Sequence, residues 1–302
     1  MGRLLDMRIA QIVLPDASAY ERKSQRVDHA ALSVAHQVIL TSVEEIAAAR
    51  ADVAHVYGPR VLPSSLFRRF PVPYVATGDI PWSRWPFGKP VEPDYVVSPL
   101  IEKVEQSRLQ PLPEAVEDAY FMWDRHSCLS GAGGQTGVSV LHDLRGQTGV
   151  SVPHFTLGTY ARPSVINAVE QTIARIERFR DDITWNLYQH PPTPADLAGV
   201  DLWVDPATDA TDLDGFVAEA IVMQVPVVAS RTPINELRLE QGRTGFLVPA
   251  RDPNELTHAI LTALFKSEVA QRKIEAAGQT FSKFRARQRL RILSHMYETL
   301  IS

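Results

Sequence analysis

The length, composition and charge of this chain exclude several classes of protein. It has 302 residues, of which 45% are hydrophobic and 22% are charged, and its formal net charge is -4. This length predicts about two globular domains, and the composition is that of a protein that buries a full core. The negative charge argues against a general nucleic-acid binder. A single cysteine, Cys128, excludes an internal disulfide and fits a reducing compartment.

Contact with membranes is expected to be peripheral at most. No apolar run approaches the length of a transmembrane helix, and the N-terminus lacks the apolar core of a signal peptide. The basic residues of the last predicted helix, together with segment 67–70, are compatible with a membrane-surface footprint. A solvated basic face is the favoured interpretation, so we expect the arginines of the last helix to lie in solvent. We also expect a cytoplasmic protein.

Apolar runs alternate with helical patterns in residues 1–110, which predicts a parallel sheet covered by helices on both faces. The pattern predicts strands at 7–14, 38–40, 53–57, 73–77 and 95–98, and helices at 27–36 and 44–49. His55 lies within one of the apolar strands. We therefore interpret it as a hydrogen-bonded core residue rather than a ligand.

A linker and an insertion are expected at residues 111–154. Pro111 and Pro113 mark the linker, which covers the region 105–123. The seven letters of 134–140 recur at 146–152, and one such repeat indicates a duplication, since a solenoid needs several units. The glycines match no phosphate-binding pattern. We expect a surface insertion at 124–153, with no catalytic role for Cys128.

A second α/β domain is expected at 155–280. The sequence predicts strands at 155–157, 183–188 and 202–204, a loop at 158–162, a helix at 163–179 and a proline-rich loop at 190–194. Arg162 follows the first of these strands. Ligands of α/β sheets bind outside the carboxyl ends of the strands, so this arginine is a candidate for binding an anion.

The stretch 219–260 is the most informative part of the chain. Pro226 ends a helix, and the apolar run that follows it is of the parallel-strand type. Gly242 and Gly245 mark a turn before a short strand at 246–248. Asp252 then caps a helix whose first residue is a proline. The signals predict helix, strand, turn, strand and helix.

This order of signals resembles the second domain of retaining GT-B glycosyltransferases of the group 1 family. The family pattern reads Glu-Ala-Met-Ala-x-Gly-x-Pro-Val-Val-Ala-Ser and then Gly-x-Thr-Gly-x-Leu-Val-Pro-x-x-Asp-Pro-x-x-Leu. The chain matches it at Glu219, Ala220, 226–230, Gly242, Thr244, Gly245, 247–249, Asp252, Pro253 and Leu256. Residues 52–59 resemble a run of the family's first domain. The resemblance implies two Rossmann-like domains, at 1–110 and 155–280, with parallel sheets facing across a cleft, and a C-terminal helix at 281–302.

The same resemblance implies a function. A retaining glycosyltransferase moves a sugar from a nucleotide-sugar donor to a hydroxyl of a carbohydrate or lipid-linked acceptor, here without a metal or a cofactor. It implies that Glu219 holds the ribose, that Arg162 holds the diphosphate, and that Asp212 or Asp214 holds the hexose. The other residues placed around the donor are Gly158, Ser230 and Thr232. No residue is assigned a catalytic role.

Each assignment has a simpler alternative. Glu219 is otherwise a solvated glutamate of the first turn, favoured by the helix dipole. Arg162 is otherwise an ordinary surface arginine, and the aspartates form a solvated acidic loop.

The chain also departs from the family pattern, which keeps a second hypothesis open. Thr211 stands where the family has its hexose-binding glutamate, and Thr232-Pro233 replaces two glycines. Only 190–200 separates two strands that the family joins through a longer nucleotide-binding segment. These departures favour a non-catalytic relative that acts as a binding or partner subunit. A third hypothesis is another GT-B-type enzyme, such as a sugar-nucleotide epimerase.

Overall fold

The computed structural model describes residues 7–58, 72–77, 95–98, 109–111, 114, 116–121, 154–209 and 212–302. The chain divides into two compact units, one made of Met1–Glu117 with Lys283–Ser302 and the other of Asp118–Ser282. Each unit contains a parallel sheet, which confirms the expected two-domain α/β fold. The predicted insertion at 124–153, with Cys128 and the repeat, lies outside the described residues, as do Thr211 and 67–70.

The helices are short to medium in length. They are α1 (Ala19–Leu32), α2 (Ile46–Ala49), α3 (Asp118–Phe121), α4 (Pro163–Ile176), α5 (Pro194–Ala198), α6 (Val217–Val222), α7 (Pro233–Arg238), α8 (Pro253–Phe265), α9 (Ser267–Thr280) and α10 (Ala286–Ile301). In the part of the chain that the structure describes, short 3-10 segments occur at Glu240–Gly242 and Phe281–Phe284. Within the described ranges, no helix combines the length and the hydropathy that crossing a bilayer requires.

The sheet of the first unit has six parallel strands. They are β1 (Arg8–Val13), β2 (Gln37–Leu40), β3 (Val53–Tyr57), β4 (Tyr74–Thr77), β5 (Tyr95–Ser98) and β6 (Leu109–Pro111). Their order across the sheet is β2-β1-β3-β4-β5-β6. Strand β6 corrects the sequence prediction, because it lies where a linker was expected. Pro111 was interpreted as a linker residue, but it ends an edge strand, where proline is tolerated.

Helix α1 begins at Ala19, well before the predicted start at position 27. The Ser18 hydroxyl accepts a hydrogen bond from the Glu21 amide at 3.2 Å, and the Glu21 carboxylate accepts one from the Ser18 amide at 2.7 Å. This reciprocal pair satisfies two backbone donors that have no partner within the helix. The helix therefore starts where its cap is.

The C-terminal helix α10 completes the core of the first unit. Its buried side chains share one cluster with residues of the sheet, of α1 and of the segment before β1: Leu293, Met296 and Tyr297 with Ile9, Val53, Val75, Leu32 and Met7. Burying one large aliphatic side chain contributes about 1.5–3 kcal/mol. The apolar face of α10 thus fixes the helix to the sheet.

Arg289 of α10 is buried, which corrects the expectation that the arginines of this helix lie in solvent. Its Nε donates to Asp28 Oδ1 at 2.5 Å and its Nη2 to Asp28 Oδ2 at 2.9 Å. Burial opposes the charged form of Arg289, but Asp28 outweighs it and raises the pKa of the guanidinium. Arg287 and Arg291 are exposed, as expected.

His55 is a buried core residue, as the sequence predicted. Its Nδ1 lies 2.5 Å from the Tyr297 hydroxyl and its Nε2 lies 2.7 Å from the Thr77 hydroxyl. The ring stacks on Tyr57 with the centroids 4.1 Å apart. Burial, followed by the charge of Arg289, lowers the pKa of His55 well below its usual value. The imidazole is therefore neutral in the folded protein.

The sheet of the second unit has five parallel strands. They are β7 (Phe155–Tyr160), β8 (Ile183–Tyr188), β9 (Leu202–Asp205), β10 (Val227–Ser230) and β11 (Phe246–Val248). Their order is β11-β10-β9-β7-β8. Asp252 caps α8 as predicted, since its Oδ1 accepts from the amides of Asn254 and Glu255 at 3.0 and 3.1 Å.

In both sheets the order of strand addition changes sides at the first strand of the unit. β1 lies between β2 and β3, and β7 lies between β8 and β9. The chain therefore leaves the first strand of each unit towards one side and the second strand towards the other. Such a switch point opens a crevice at the carboxyl ends of the strands.

We expect Arg289→Ala to lower the free energy of unfolding by about 3–5 kcal/mol, because Asp28 becomes a buried charge without its cation. Arg287→Ala, an exposed arginine of the same helix, should change the free energy of unfolding by no more than about 0.5 kcal/mol. Replacing Asp28 and Arg289 together by leucine should recover much of the loss. Urea unfolding followed by circular dichroism measures all four proteins. Equal losses in the two single variants would contradict the buried pair.

Protonation of His55 should make the stability depend on pH. Its folded-state pKa lies below the usual 6.5, so below that pH the unfolded chain binds a proton that the folded protein does not. The contribution is therefore complete above about pH 7 and is lost as the pH falls, with a limiting slope of about 1.4 kcal/mol per pH unit. Unfolding free energies between about pH 7.5 and about pH 5.5 should show this slope in wild type and in His295→Gln, and a smaller one in His55→Gln.

Candidate functional site

The candidate site lies at the carboxyl edge of the second sheet, where β7 and β9 end side by side. β7 ends at Tyr160, and Arg162 follows as the residue that precedes α4. β9 ends at Asp205. This is the switch point of the sheet, where open α/β sheets bind their ligands.

Gly158 lies within β7, which corrects the loop predicted at 158–162. It pairs in the sheet with Asn186 and Trp203. A Cβ atom at this position would stand 2.9 Å from both the Trp203 ring and Val200, which is too close for a side chain. The indole of Trp203 therefore requires glycine here, and the polar loop begins only at Ala161.

The guanidinium of Arg162 is held between two carboxylates. Its Nη2 donates to Asp205 Oδ1 at 2.6 Å, its Nε to Asp212 Oδ2 at 2.8 Å and its Nη1 to the Tyr160 carbonyl at 3.2 Å. The side chain is 8% exposed. Burial opposes the charge, but Asp205 and Asp212 outweigh it and raise the pKa of Arg162. Arg162 is thus a buried cation and not an ordinary surface arginine.

Asp205 is the residue that the sequence analysis missed. It is 1% exposed, and both of its oxygens have partners: Oδ1 accepts from Arg162, and Oδ2 accepts from the Asn235 amide group at 3.0 Å. One signal was available, because an acidic residue directly follows the apolar run 202–204 at the carboxyl end of its strand. Through Arg162 and Asn235, Asp205 links the loop after β7 to the helix after β10.

A short helix, α7, follows Ser230. The Thr232 hydroxyl caps it by accepting from the Asn235 amide at 3.3 Å, and Pro233 is its first residue, where no amide donor is needed. The Asn235 side chain also donates to the Ser230 carbonyl at 3.1 Å. Ser230 and Thr232 are buried, and together they aim Asn235 at Asp205.

The loop between β9 and α6 passes close to Asp205. The Trp203 indole donates to the Gly215 carbonyl at 2.8 Å, and Arg238 Nη2 donates to the Leu213 carbonyl at 2.8 Å. A Cβ atom on Gly215 would stand 2.7 Å from the Asp205 carboxyl carbon. The buried carboxylate therefore requires a residue without a side chain beside it.

Asp212 and Asp214 lie in this loop, and Asp212 pairs with Arg162. Asp212 Oδ2 accepts from Arg162 and from the hydroxyl of Ser164, which belongs to the first turn of α4. Asp212 Oδ1 accepts from the Asp214 amide at 3.0 Å. Asp214 is half-buried. Burial, followed by the charge of Asp214, raises the pKa of Tyr160, the last residue of β7.

Glu219 lies in the first turn of α6 and is fully buried. The alternative of a solvated surface glutamate is therefore wrong. The residue before the helix, Phe216, has a left-handed backbone with a φ of 52°, and its ring meets Tyr160 edge-on with the centroids 5.2 Å apart. A carboxylate in the first turn is close to backbone amides that no helical carbonyl satisfies.

Five of the seven predicted donor-site residues belong to one hydrogen-bonded network, and the other two lie in elements next to it. The network contains Arg162, Asp212 and Asp214 and, through Asn235, also Ser230 and Thr232. Gly158 and Glu219 are buried in the adjacent elements β7 and α6. A cation of this kind can bind a phosphate, and carboxylates can accept hydrogen bonds from sugar hydroxyls.

Comparison with protein families gives one match. Residues 157–265, about a third of the chain, match the model of the family "Glycosyl transferases group 1". This segment contains the whole network at the carboxyl edge of the second sheet. No curated protein sequence matches the chain.

Solved structures share the fold over almost the full length. A glycosyltransferase from Rickettsia africae superposes with a TM-score of 0.65 at 12% identity and 99% coverage of each chain. Anabaena HepE in complex with UDP and glucose gives 0.65 at 12% identity, covering 97% of this chain and 100% of that one. Sucrose-phosphate synthase from Thermosynechococcus elongatus gives 0.66 at 12% identity, covering 97% and 99%. The family match and this fold support a glycosyltransferase enzyme of GT-B architecture.

We expect Gly215→Ala to lower the free energy of unfolding by about 1–3 kcal/mol, because the new methyl group displaces the Asp205 carboxylate or the loop that passes it. Gly278→Ala is the matched control. Gly278 lies within α9 with open space around it, so alanine should stabilise the protein by about 0.5–1 kcal/mol. Thermal unfolding of both variants checks the opposite signs. A neutral Gly215→Ala would show that the loop moves freely.

Proposed function

We propose that this protein transfers a sugar from a nucleotide-sugar donor to an acceptor hydroxyl, with retention of configuration. The observation that carries the proposal is the buried cation Arg162 at the switch point of the second sheet, paired with Asp205 and Asp212. The family match over 157–265 supports the same function. HepE, which shares the fold, was crystallised with UDP-glucose.

Arg162 is the proposed partner of the donor diphosphate. When the glycosidic bond breaks, negative charge grows on the departing phosphate, and a fixed cation stabilises that charge. The recorded hydrogen bonds of Arg162 use three of its N–H groups, and a guanidinium carries more. The amides at the start of α4 add donors at the same place, because Arg162 directly precedes this helix.

The carboxylates are proposed to hold the sugars of the donor. Glu219 accepts from the ribose hydroxyls, and the half-buried Asp214 accepts from the hexose in place of the family glutamate. Ser230 and Thr232 shape the opposite wall by fixing α7, and Gly158 allows the close packing beneath. The acceptor is proposed to be a carbohydrate or lipid-linked hydroxyl, met in the cytoplasm with peripheral membrane contact at most.

One observation favours a second candidate function, a binding subunit without catalysis. The charge of Arg162 is already opposed by two carboxylates, at 2.6 and 2.8 Å. A diphosphate would meet a group whose partners are in place. If no nucleotide binds, the protein has kept the fold and lost the donor chemistry.

Calorimetric titration of UDP, GDP and ADP tests the donor site. Glu219→Gln should weaken binding of the preferred nucleotide by about ten- to a hundred-fold, because charge-assisted contacts to the ribose contribute about 1.5–3 kcal/mol each. Glu255→Gln, which alters an exposed first-turn glutamate of α8, should bind like wild type. Equal affinity in all three proteins would remove Glu219 from the site. The configuration of the product, read by NMR, tests retention.

A further inference from the structure

The two carboxylates that hold Arg162 differ in how firmly they are themselves fixed. Asp205 ends a central strand, is 1% exposed and has both oxygens bonded, to Arg162 and to Asn235. Asp212 lies in the loop before α6, and its side chain is 10% exposed. Asp205 is part of the sheet edge, whereas Asp212 is attached through a loop.

Asp212 also occupies the donors that a phosphate would need. Its Oδ2 accepts from Arg162 Nε and from the Ser164 hydroxyl in the first turn of α4. A phosphate oxygen has the same charge sign and the same acceptor chemistry as a carboxylate oxygen. The arrangement therefore resembles an anion site whose anion is supplied by the chain itself.

The local charge gives a reason why both anions are not bound at once. One guanidinium faces two carboxylates, so the group of Arg162, Asp205 and Asp212 carries a net negative charge. A diphosphate that approached this group would be repelled. If Asp212 swings out, Arg162 Nε and the Ser164 hydroxyl become donors for the phosphate, while Asp205 keeps the guanidinium in place.

We propose that Asp212 competes with the donor diphosphate for Arg162 and Ser164, so that donor binding requires Asp212 to be displaced. This inference rests on the proposed function, since it takes Arg162 as the diphosphate partner. It makes Asp212 an internal anion that lowers the affinity of the site for nucleotides and excludes weak anions. Asp205, in contrast, is a positioning residue for Arg162.

The test is calorimetric titration of UDP and of inorganic pyrophosphate into the full-length protein and its variants. Asp212→Asn keeps the size of the side chain and removes its charge, and it should tighten binding of both probes by about ten-fold. Ser164→Ala removes a hydroxyl that donates to whichever anion is bound, Asp212 or the phosphate, so it should change the affinity for pyrophosphate little. Arg162→Gln should abolish pyrophosphate binding.

A matched control separates this effect from net charge. Asp182 pairs with Arg180 just before β8, at the amino edge of the same sheet, so Asp182→Asn removes the same charge away from the site. It should leave both affinities unchanged. Melting temperatures identify any variant that fails to fold, and Asp212→Ser, which also removes the charge, takes the place of Asp212→Asn in that case.

The outcomes distinguish this inference from the function it rests on. Binding that is lost in Arg162→Gln but unchanged or weaker in Asp212→Asn, or in Asp212→Ser in its place, overturns the inference and leaves the donor site standing. Equal tightening in Asp212→Asn and Asp182→Asn also overturns it, because the effect is then one of net charge. Absence of UDP binding in every protein, Asp212→Asn included, overturns the proposed function and the inference with it.

Discussion

The carboxylate of Asp205 is the constraint on which the second unit's edge depends. A buried charge is tolerated only when it is paired and fully hydrogen-bonded, and Asp205 satisfies this with Arg162 on one oxygen and Asn235 on the other. If Arg162 is removed, the Asp205 carboxylate stays buried without a cation, and if Asp205 is removed, Arg162 loses one of its two carboxylates. The ends of β7 and β9 and the start of α7 are therefore fixed relative to one another by a single side chain.

The first unit contains a similar arrangement, with a different consequence. Asp28 and Arg289 form a buried pair that joins α1 to α10, and the pair neighbours a neutral histidine in the core. Buried pairs add little net stability compared with well-packed apolar residues, because desolvation offsets the attraction. Their effect is to define which surfaces meet. In the first unit the buried pair fixes α10 to α1, and in the second unit it holds the Arg162 guanidinium at the edge of the sheet.

The sequence predicted the parts whose signal is local. The strands 53–57, 95–98 and 183–188 have the predicted bounds, since β-branched and aromatic runs end at turn residues there, and Asp252 caps α8 as expected. The start of α1 was missed although its Ser-x-x-Glu cap is present in the sequence. Asp205 was missed for another reason: its partners are 43 and 30 residues away, and only the strand order brings them together. Arg289 was misassigned because a helical wheel cannot show what faces it.

The place of α10 in the fold has a consequence for biosynthesis. The first unit needs Leu293, Met296 and Tyr297 to cover its sheet and Arg289 to neutralise Asp28, whereas the second unit is one continuous stretch, Asp118–Ser282. A ribosome delivers the sheet of the first unit long before the helix that covers it. Until then, the apolar face around Ile9 and Val53 is open to chaperones and to aggregation. The unit that is made first is thus the last to finish folding.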